Sequence, residues 1–384
     1  WASFISVSFF DCGASPSFFC SEAYRGKTPS EYVMFKKVLQ TIAAAMTLCL
    51  TMHLAMASEI VKVPTAWLGE HEAFLMWYAK EKGWDAEAGL DIQMQLFDSG
   101  PDILNALPSG KWVYAGMGAV PAMLGNLRYG TSIIALGNDE SSCNAVMVYP
   151  DSPIAKAKGW NEKYPEVLGS PETVKGKTFW VTTLSSAHYA LTSWLEILGL
   201  TNSDIVIKNM DQAQVLKAFE SNECDGVALW APHMFVAANK GAVMAADVRT
   251  AGKGNPVVLV ADTRYAEKYP DITASFLGVF LRAVDAFKKT PAEDLIAEYQ
   301  RFYKTFVGKD YDTALALKDL QYHPVFSLEE QLELFDDTGA PSQVQQWQSS
   351  VAAFFRDINR ITSDEAKKVE DGKYATNTYL KLVK

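Results

Sequence analysis

From Ile60 onward the apolar and polar positions fall into a pattern that occurs twice. Ile60–Pro64 reads as a strand, the loop Thr65–Glu72 follows, and a helical apolar face runs over roughly Ala73–Ala88 until Gly89-Leu90 stops it. Asp91–Phe97 alternates as a strand does, Pro101–Leu107 fits a short helix, and Trp112–Gly116 is an apolar strand that runs into Gly118-Ala119-Val120-Pro121. In the second half Lys177–Val181 predicts a strand, Ala187–Leu198 a helix closed by Gly199, Ile205–Asn209 a strand, Gln212–Glu220 a helix, and Gly226–Trp230 a strand ending in Ala231-Pro232. The passages share element order, a glycine behind the first long helix and a proline behind the third strand. Agreement of all three in order marks an internal repeat.

Two βαβαβ units imply an α/β protein of two lobes with parallel-rich sheets, and ligands of such sheets sit off the carboxyl ends of the strands. Thr131–Leu136 and Asn144–Tyr149 flank Gly137–Cys143, which reads as the first crossing between lobes; the Gly-rich Arg249–Asn255, ahead of a strand at Pro256–Ala261, reads as the return. Helices expected at Phe276–Lys288, Ala292–Phe306, Asp312–Leu320, Leu328–Thr338 and Val344–Ile358 would buttress the first lobe. The chain then divides into 58–140 (first lobe), 141–250 (second lobe) and 251–384 (first lobe again, with the C-terminal helices). Ahead of them Met34-Phe35-Lys36-Lys37, the apolar Val38–Leu54 and Ala55-Met56-Ala57 have the layout of a secretory signal peptide over 34–57. Residues 1–33, which show no sustained periodicity, are expected to be non-native upstream sequence.

Charge and cysteine usage narrow the function. With 35 basic and 45 acidic residues the formal net charge is −10, which argues against nucleic acid as a partner. Only Cys143 and Cys224 lie beyond the expected leader, so no disulfide framework is present, and whether these two pair is left open by the sequence. Phosphate-loop, dinucleotide-binding and C-x-x-C motifs are missing, and His71-Glu72 lacks the second histidine of H-E-x-x-H, because Leu75 stands there. No catalytic residue, metal ligand or cofactor is therefore expected.

What remains is binding chemistry. In Trp180–Leu191, an apolar strand breaks at Thr182, Thr183, Ser185 and Ser186 before a helix begins, and exposed N–H groups at a helix start can cradle an anion. An ordinary N-cap is the alternative reading of those hydroxyls. The repeat sets Trp67, Glu70 and His71 opposite them. Asp98 and Ser99 follow the second strand, Gly118 the third, Asn138 and Glu140 the crossing, and Trp230 closes the second lobe. The expected ligand-binding set is thus Trp67, Glu70, His71, Asp98, Ser99, Gly118, Asn138, Glu140, Thr183, Ser185, Ser186, His188 and Trp230. One anion cradle, several acids and aromatic faces suit a small anionic or zwitterionic solute. His188 is expected as a pocket wall or hydrogen-bond donor, not as a base.

These residues also resemble a known family. Ala79-Lys80-Glu81-Lys82-Gly83-Trp84 through Gly89-Leu90-Asp91-Ile92 is similar to the post-helix turn and "GL-x-V" strand of the periplasmic substrate-binding components of ABC importers of the aliphatic sulfonate, taurine and nitrate type, a group that includes NMT1/THI5-like proteins. Val174-Lys175-Gly176-Lys177 resembles the family's "LKGK" lead-in to the second lobe. Ser185-Ser186-Ala187-His188 resembles its "GS-x-x-H" ligand turn, with Leu184 in place of the glycine, and Cys224-Asp225-Gly226 with Trp230-Ala231-Pro232 its strand edge. Lys111-Trp112-Val113-Tyr114-Ala115 departs from the usual "G-x-x-D-x-G". The resemblance, over about residues 59–290, implies a type II periplasmic-binding-protein fold in which two lobes close on a hinge of two crossings. It further implies a periplasmic, monomeric, non-enzymatic receptor that delivers a small-molecule ligand of the sulfonate or taurine kind to an inner-membrane ABC permease. A pyrimidine-biosynthesis enzyme of the NMT1/THI5-like kind and a sensing lobe for a membrane signalling protein are the competing expectations.

Overall fold

The computed structural model describes residues 60–372 and 374–384. The expected leader over 34–57 and the segment 1–33 lie outside the described residues. Among the described residues, ten strands form two five-stranded sheets: β1 Val61–Trp67, β2 Leu90–Leu96, β3 Tyr114–Gly118, β4 Thr131–Asp139 and β10 Pro256–Asp262 in the first, and β5 Asn144–Val148, β6 Thr178–Val181, β7 Val206–Asn209, β8 Gly226–Trp230 and β9 Val243–Asp247 in the second. Strand order is β2-β1-β3-β10-β4 in one and β7-β6-β8-β5-β9 in the other. Each sheet joins three parallel strands from its βαβαβ unit to an antiparallel fourth, β10 or β5. That fourth strand is in each case the one the chain enters on arriving from the other sheet.

The helices that matter to the site are α1 His71–Glu81, α2 Gly100–Ala106, α3 Ala119–Leu124, α4 Ser186–Ile197, α5 Gln212–Glu220, α6 Pro270–Lys289, α7 Ala292–Phe302, α8 Thr313–Tyr322 and α9 Gln343–Asp357. Their starts obey local chemistry: the side chains of Ser185, Asp211, Asp312 and Ser342 accept a first-turn N–H of α4, α5, α8 and α9. Central strands β3, β5 and β8 are buried at every residue, as sheets covered on both faces require. β7, at an edge, is largely exposed and carries Lys208.

The first sheet is packed by α1, α6, α7 and α9 into one large core in which Tyr114 stacks on Phe276 with ring centroids 4.3 Å apart. The second sheet has a smaller core on each face, one around Val181, Leu191 and Trp194 and one around Met147, Val227 and Phe235. The two halves meet along α4: Tyr189 and His188 set their rings edge-on to Phe354 of α9, at 5.3 and 5.4 Å, while Gln348 of α9 donates to the Ala119 carbonyl of α3 at 3.1 Å.

Two expectations need correcting. The helix foreseen over Ala73–Ala88 breaks after Glu81, where Gly83 takes φ +75°, and a separate turn Trp84–Glu87 follows. β1 continues through Trp67, so residues read as the start of a loop belong to the sheet. Val63, Thr65, Ala66 and Trp67 are all fully buried, which moves Trp67 out of the site.

Candidate functional site

The carboxyl ends of the parallel strands in both sheets face one cleft. Its inner end is a cavity of about 20 Å³ lined by Leu68 and Glu70 after β1, Gly100, Gly118 and Pro121 from the β2 and β3 ends, Glu140 and Asn144 at the crossing, and Ser185, Ser186 and Trp230 from the second sheet. An outer groove of about 260 Å³ shares Leu68, Glu70 and Trp230 with it and adds Asp98, Asp211, His233 and Lys309. The inner space holds about one water, so a solute occupies this site when the walls part or by filling the groove behind it. A more voluminous concavity, about 830 Å³, lies around Trp84, Arg282 and Lys384, away from the strand ends of either sheet.

The first-lobe wall is acidic and buried. Glu70 is the N-cap residue of α1, yet its side chain does not cap; it hydrogen-bonds to the carboxyl of Glu140. Burial, then the neighbouring Glu140 and Glu72, push the Glu70 carboxyl well above its usual range, and burial also raises Glu140. Burial and like charge thus favour a proton held between the two carboxyls, with Glu70 the more strongly raised. Glu72 lies behind them on the first turn of α1, and burial, then Glu140, raises it likewise. Its chain passes over Gly116 and Gly137, where an added Cβ would come within 2.8 and 3.0 Å of its Cγ and Cβ. Asn144 clasps the crossing: its side-chain N–H donates to the Glu140 carbonyl at 3.1 Å and to Glu140 Oε2 at 3.3 Å.

The second-lobe wall presents donors. α4 points its N-terminus at the cavity, and the N–H groups of its first turn have no intrahelical acceptor. Ser185 Oγ donates to the Thr182 carbonyl at 2.6 Å and caps His188 N–H, so its hydroxyl serves the turn. Ser186 Oγ faces Gly118 so closely that a Cβ there would collide with it. Trp230 is held from behind, its backbone N–H donating to Gln212 Oε1 at 2.9 Å; Gln212 in turn donates to Thr182 Oγ1 at 3.2 Å, which ties the ends of β6, β7 and β8 together. Leu184, where the resembled family has glycine, takes φ +62°, a conformation costing a residue with a Cβ about 1–2 kcal/mol.

Of the thirteen residues expected from sequence, Glu70, Gly118, Glu140, Ser185, Ser186 and Trp230 come together at the inner cavity and Asp98 lines the groove. The rest are placed elsewhere, for physical reasons. Trp67 packs on Phe276 and donates to Thr65 Oγ1 at 2.7 Å inside the first core. His71 points away from Glu70, stacked on His323 at 5.1 Å, and burial then His323 lowers its pKa well below the usual value. Ser99 caps α2. Asn138 is fully buried in β4 and its amide has no partner. Thr183 bonds Asn209, and His188 bonds the Leu184 N–H and Asn202; both line a separate crevice with Glu196 and Arg360. Burial, then Arg360, lowers His188 to about 4, so it is neutral at pH 7. Leu68, Gly100, Pro121 and Asn144 line the cavity outside the expected set; the signal for Asn144 was a lone amide opening the apolar run of β5, four residues after Glu140. Cys143 and Cys224 are both free thiols.

Behind Glu70 lies a polar knot. Asp319 of α8 accepts from Tyr299 and Tyr311 at 2.9 Å each, contacts His323 at 3.2 Å, and is reached by Tyr303, which also meets the Gly69 carbonyl at 3.1 Å. It anchors the Gly69–Glu72 turn from the C-terminal helices.

Comparison with known proteins finds similarity to periplasmic binding proteins. The model of the NMT1-like family matches residues 57–300. A Brachyspira hyodysenteriae protein described as an ABC transporter periplasmic binding protein is 27% identical over 291 residues, 74% of this chain and 80% of that one. The taurine-binding periplasmic protein of Escherichia coli is 24% identical over 193 residues, 50% of this chain and 55% of its own length. Among solved structures, the periplasmic aliphatic sulphonate binding protein SsuA of Escherichia coli aligns with 83% of this chain and 99% of its own at a TM-score of 0.63 and 18% identity. At that identity the likeness carries the fold, which is the two-lobed type II architecture expected from sequence.

Proposed function

The chain belongs to the NMT1-like family, and on that premise we propose that it is the periplasmic, monomeric solute receptor of an ABC importer, capturing a small zwitterion of the taurine or aminosulfonate type between its lobes and presenting it to a membrane permease. The observation that carries this reading is a single cavity with a carboxyl pair on one wall, Glu70 and Glu140, and donors on the other, the α4 N-terminus and Ser186. A plain sulfonate would meet two buried carboxyls; a zwitterion satisfies both walls. The names of the relatives and the leader-like layout of 34–57 support export. Cys143, the residue before Asn144, packs in the second sheet's core and is pushed well above its usual pKa by burial, then by Glu140, so it is not a thiolate nucleophile.

A thermal-shift screen tests the reading, because a solute that binds only the folded state stabilises it by about 2.7 kcal/mol at 100 times Kd. Taurine or a related aminosulfonate is expected to raise the melting temperature more than alkanesulfonates, nitrate or simple carboxylates. If every member of that panel leaves the transition unmoved, the solute class is wrong.

A further inference from the structure

Helix α8 touches both lobes. The sequence reads it as a buttress of the first, and Ala316 and Leu320 do pack in the first core. Leu315, Lys318 and Tyr322 form the neighbouring stripe of the helix at i, i+3 and i+7, and that stripe meets the second lobe. Leu315 is buried in the core around Met147, Val227 and Phe235. Lys318 Nζ stands 4.5 Å from the centre of the Phe235 ring, Tyr322 meets the same ring edge-on at 5.3 Å, and the Cys143 thiol donates to the Tyr322 carbonyl at 3.3 Å. Phe235 belongs to the helix His233–Asn239, which starts three residues after the cavity residue Trp230. Just beyond α8 the Pro324 carbonyl accepts the Asp139 N–H of the first crossing at 2.8 Å. Asp319, between the two stripes, reaches the first-lobe wall: Tyr303 Oη lies 3.4 Å from its carboxylate and 3.1 Å from the Gly69 carbonyl.

A hinge of two extended crossings lets one lobe turn on the other, but a helix packed on both cannot follow one without pulling on its neighbour. We propose that α8 is a strap that couples the lobes: a turn of the second lobe moves Phe235 against the Leu315–Lys318–Tyr322 stripe, and α8 passes the displacement through Asp319 and Tyr303 to the Gly69–Glu72 turn that carries Glu70. Phe235, Lys318 and Tyr303 are then positioning residues. None of them lines the inner cavity or the outer groove, yet together they set where the acidic wall stands relative to Trp230. The linkage is a continuous chain of packed and hydrogen-bonded side chains, and coupling along such a chain has to be shown by non-additivity and not by proximity. It rests on the two-lobed fold and not on the identity of the solute, so its test needs no ligand and its failure leaves the receptor reading standing.

Amide hydrogen exchange of the full chain without solute tests this, read at the first-lobe amides 69–74, where Phe74 N–H donates to the Glu70 carbonyl at 3.2 Å. Phe235→Leu, a change in the second lobe, is expected to speed exchange of that turn at least threefold while β6 and β8 keep wild-type rates, which separates lost coupling from a lobe that no longer folds. Lys318→Met keeps the aliphatic stem and removes the charge over the ring; it is expected to speed the turn at least twofold, and it decides the matter should Phe235→Leu also loosen β6 and β8. Tyr303→Phe deletes the hydroxyl between Asp319 and Gly69 and should speed the turn alone, after which adding Phe235→Leu should change its rate by less than 1.5-fold. Wild-type exchange of the turn in Lys318→Met, or effects of Phe235→Leu and Tyr303→Phe that multiply in the double variant, overturns the strap.

Discussion

The carboxyl pair sets a pH signature on stability that needs no ligand to observe. An unfolded glutamate titrates near ~4.3, whereas in the fold burial and like charge raise Glu70 well above the usual range. Between those two values the folded state binds the extra proton, so this contribution to stability is complete below pH ~4.3 and is lost as pH rises toward the folded pKa. The full slope for one group is about 1.4 kcal/mol per pH unit, and at roughly 2 °C per kcal/mol for a chain of this size that is about 3 °C per unit. The buried histidines act in the opposite sense. His188 and His233 are lowered to about 4 by burial, with Arg360 and Lys309 as the respective next causes, so the unfolded state takes up protons as pH falls below ~6.5 and stability rises with pH there. The wild-type curve is therefore a mixture, and the informative quantity is its difference from Glu70→Gln. Glutamine keeps a donor toward Glu140 and cannot ionise. Melting temperatures of ligand-free protein in steps from pH 5 to 8 should show the variant gaining on wild type by about 3 °C per unit over at least part of that range. A difference that stays flat from pH 5 to 8 would show that Glu70 is not held protonated and would refute the pairing.

Other outcomes follow from single contacts. Leu184→Gly should be more stable than Leu184→Ala by about 1 kcal/mol in denaturant unfolding, since both delete the side chain and only glycine relieves φ +62°; equal stabilities would count against a left-handed turn. Gly118→Ala should weaken solute binding at least tenfold by forcing Ser186 away, and Ser186→Gly in the same chain should restore part of it; isothermal titration of both reports whether the lobes meet there. Asp319→Ala strips the acceptor from Tyr299 and Tyr311 and should cost roughly 3 kcal/mol or more in the same unfolding assay, since each buried hydroxyl left without a partner costs about 1–3 kcal/mol.

Which parts of this molecule a reader of the sequence could see depends on how far apart the partners lie along the chain. The βαβαβ repeat was legible because its signals are local: Gln212–Glu220 and Gly226–Trp230 have the same bounds in sequence and structure. Ser185 was legible too, but as a cap, since capping is an i to i+3 affair. Trp67 failed at a boundary, where β1 outran its apolar run by three residues and turned an apparent loop tryptophan into core. The donor wall could be placed because a strand–helix turn builds it from neighbours. The acidic wall could be listed residue by residue but not assembled, because Glu70 and Glu140 are joined only when β4 and β10 close the first sheet and carry the crossing back over the start of α1. Each acid alone reads as a solvated surface group; their pairing, and the hold of Asn144 on Glu140, are properties of the tertiary fold. A site built by opposing a local feature to a long-range one is half visible from sequence, and here the hidden half is the acidic wall.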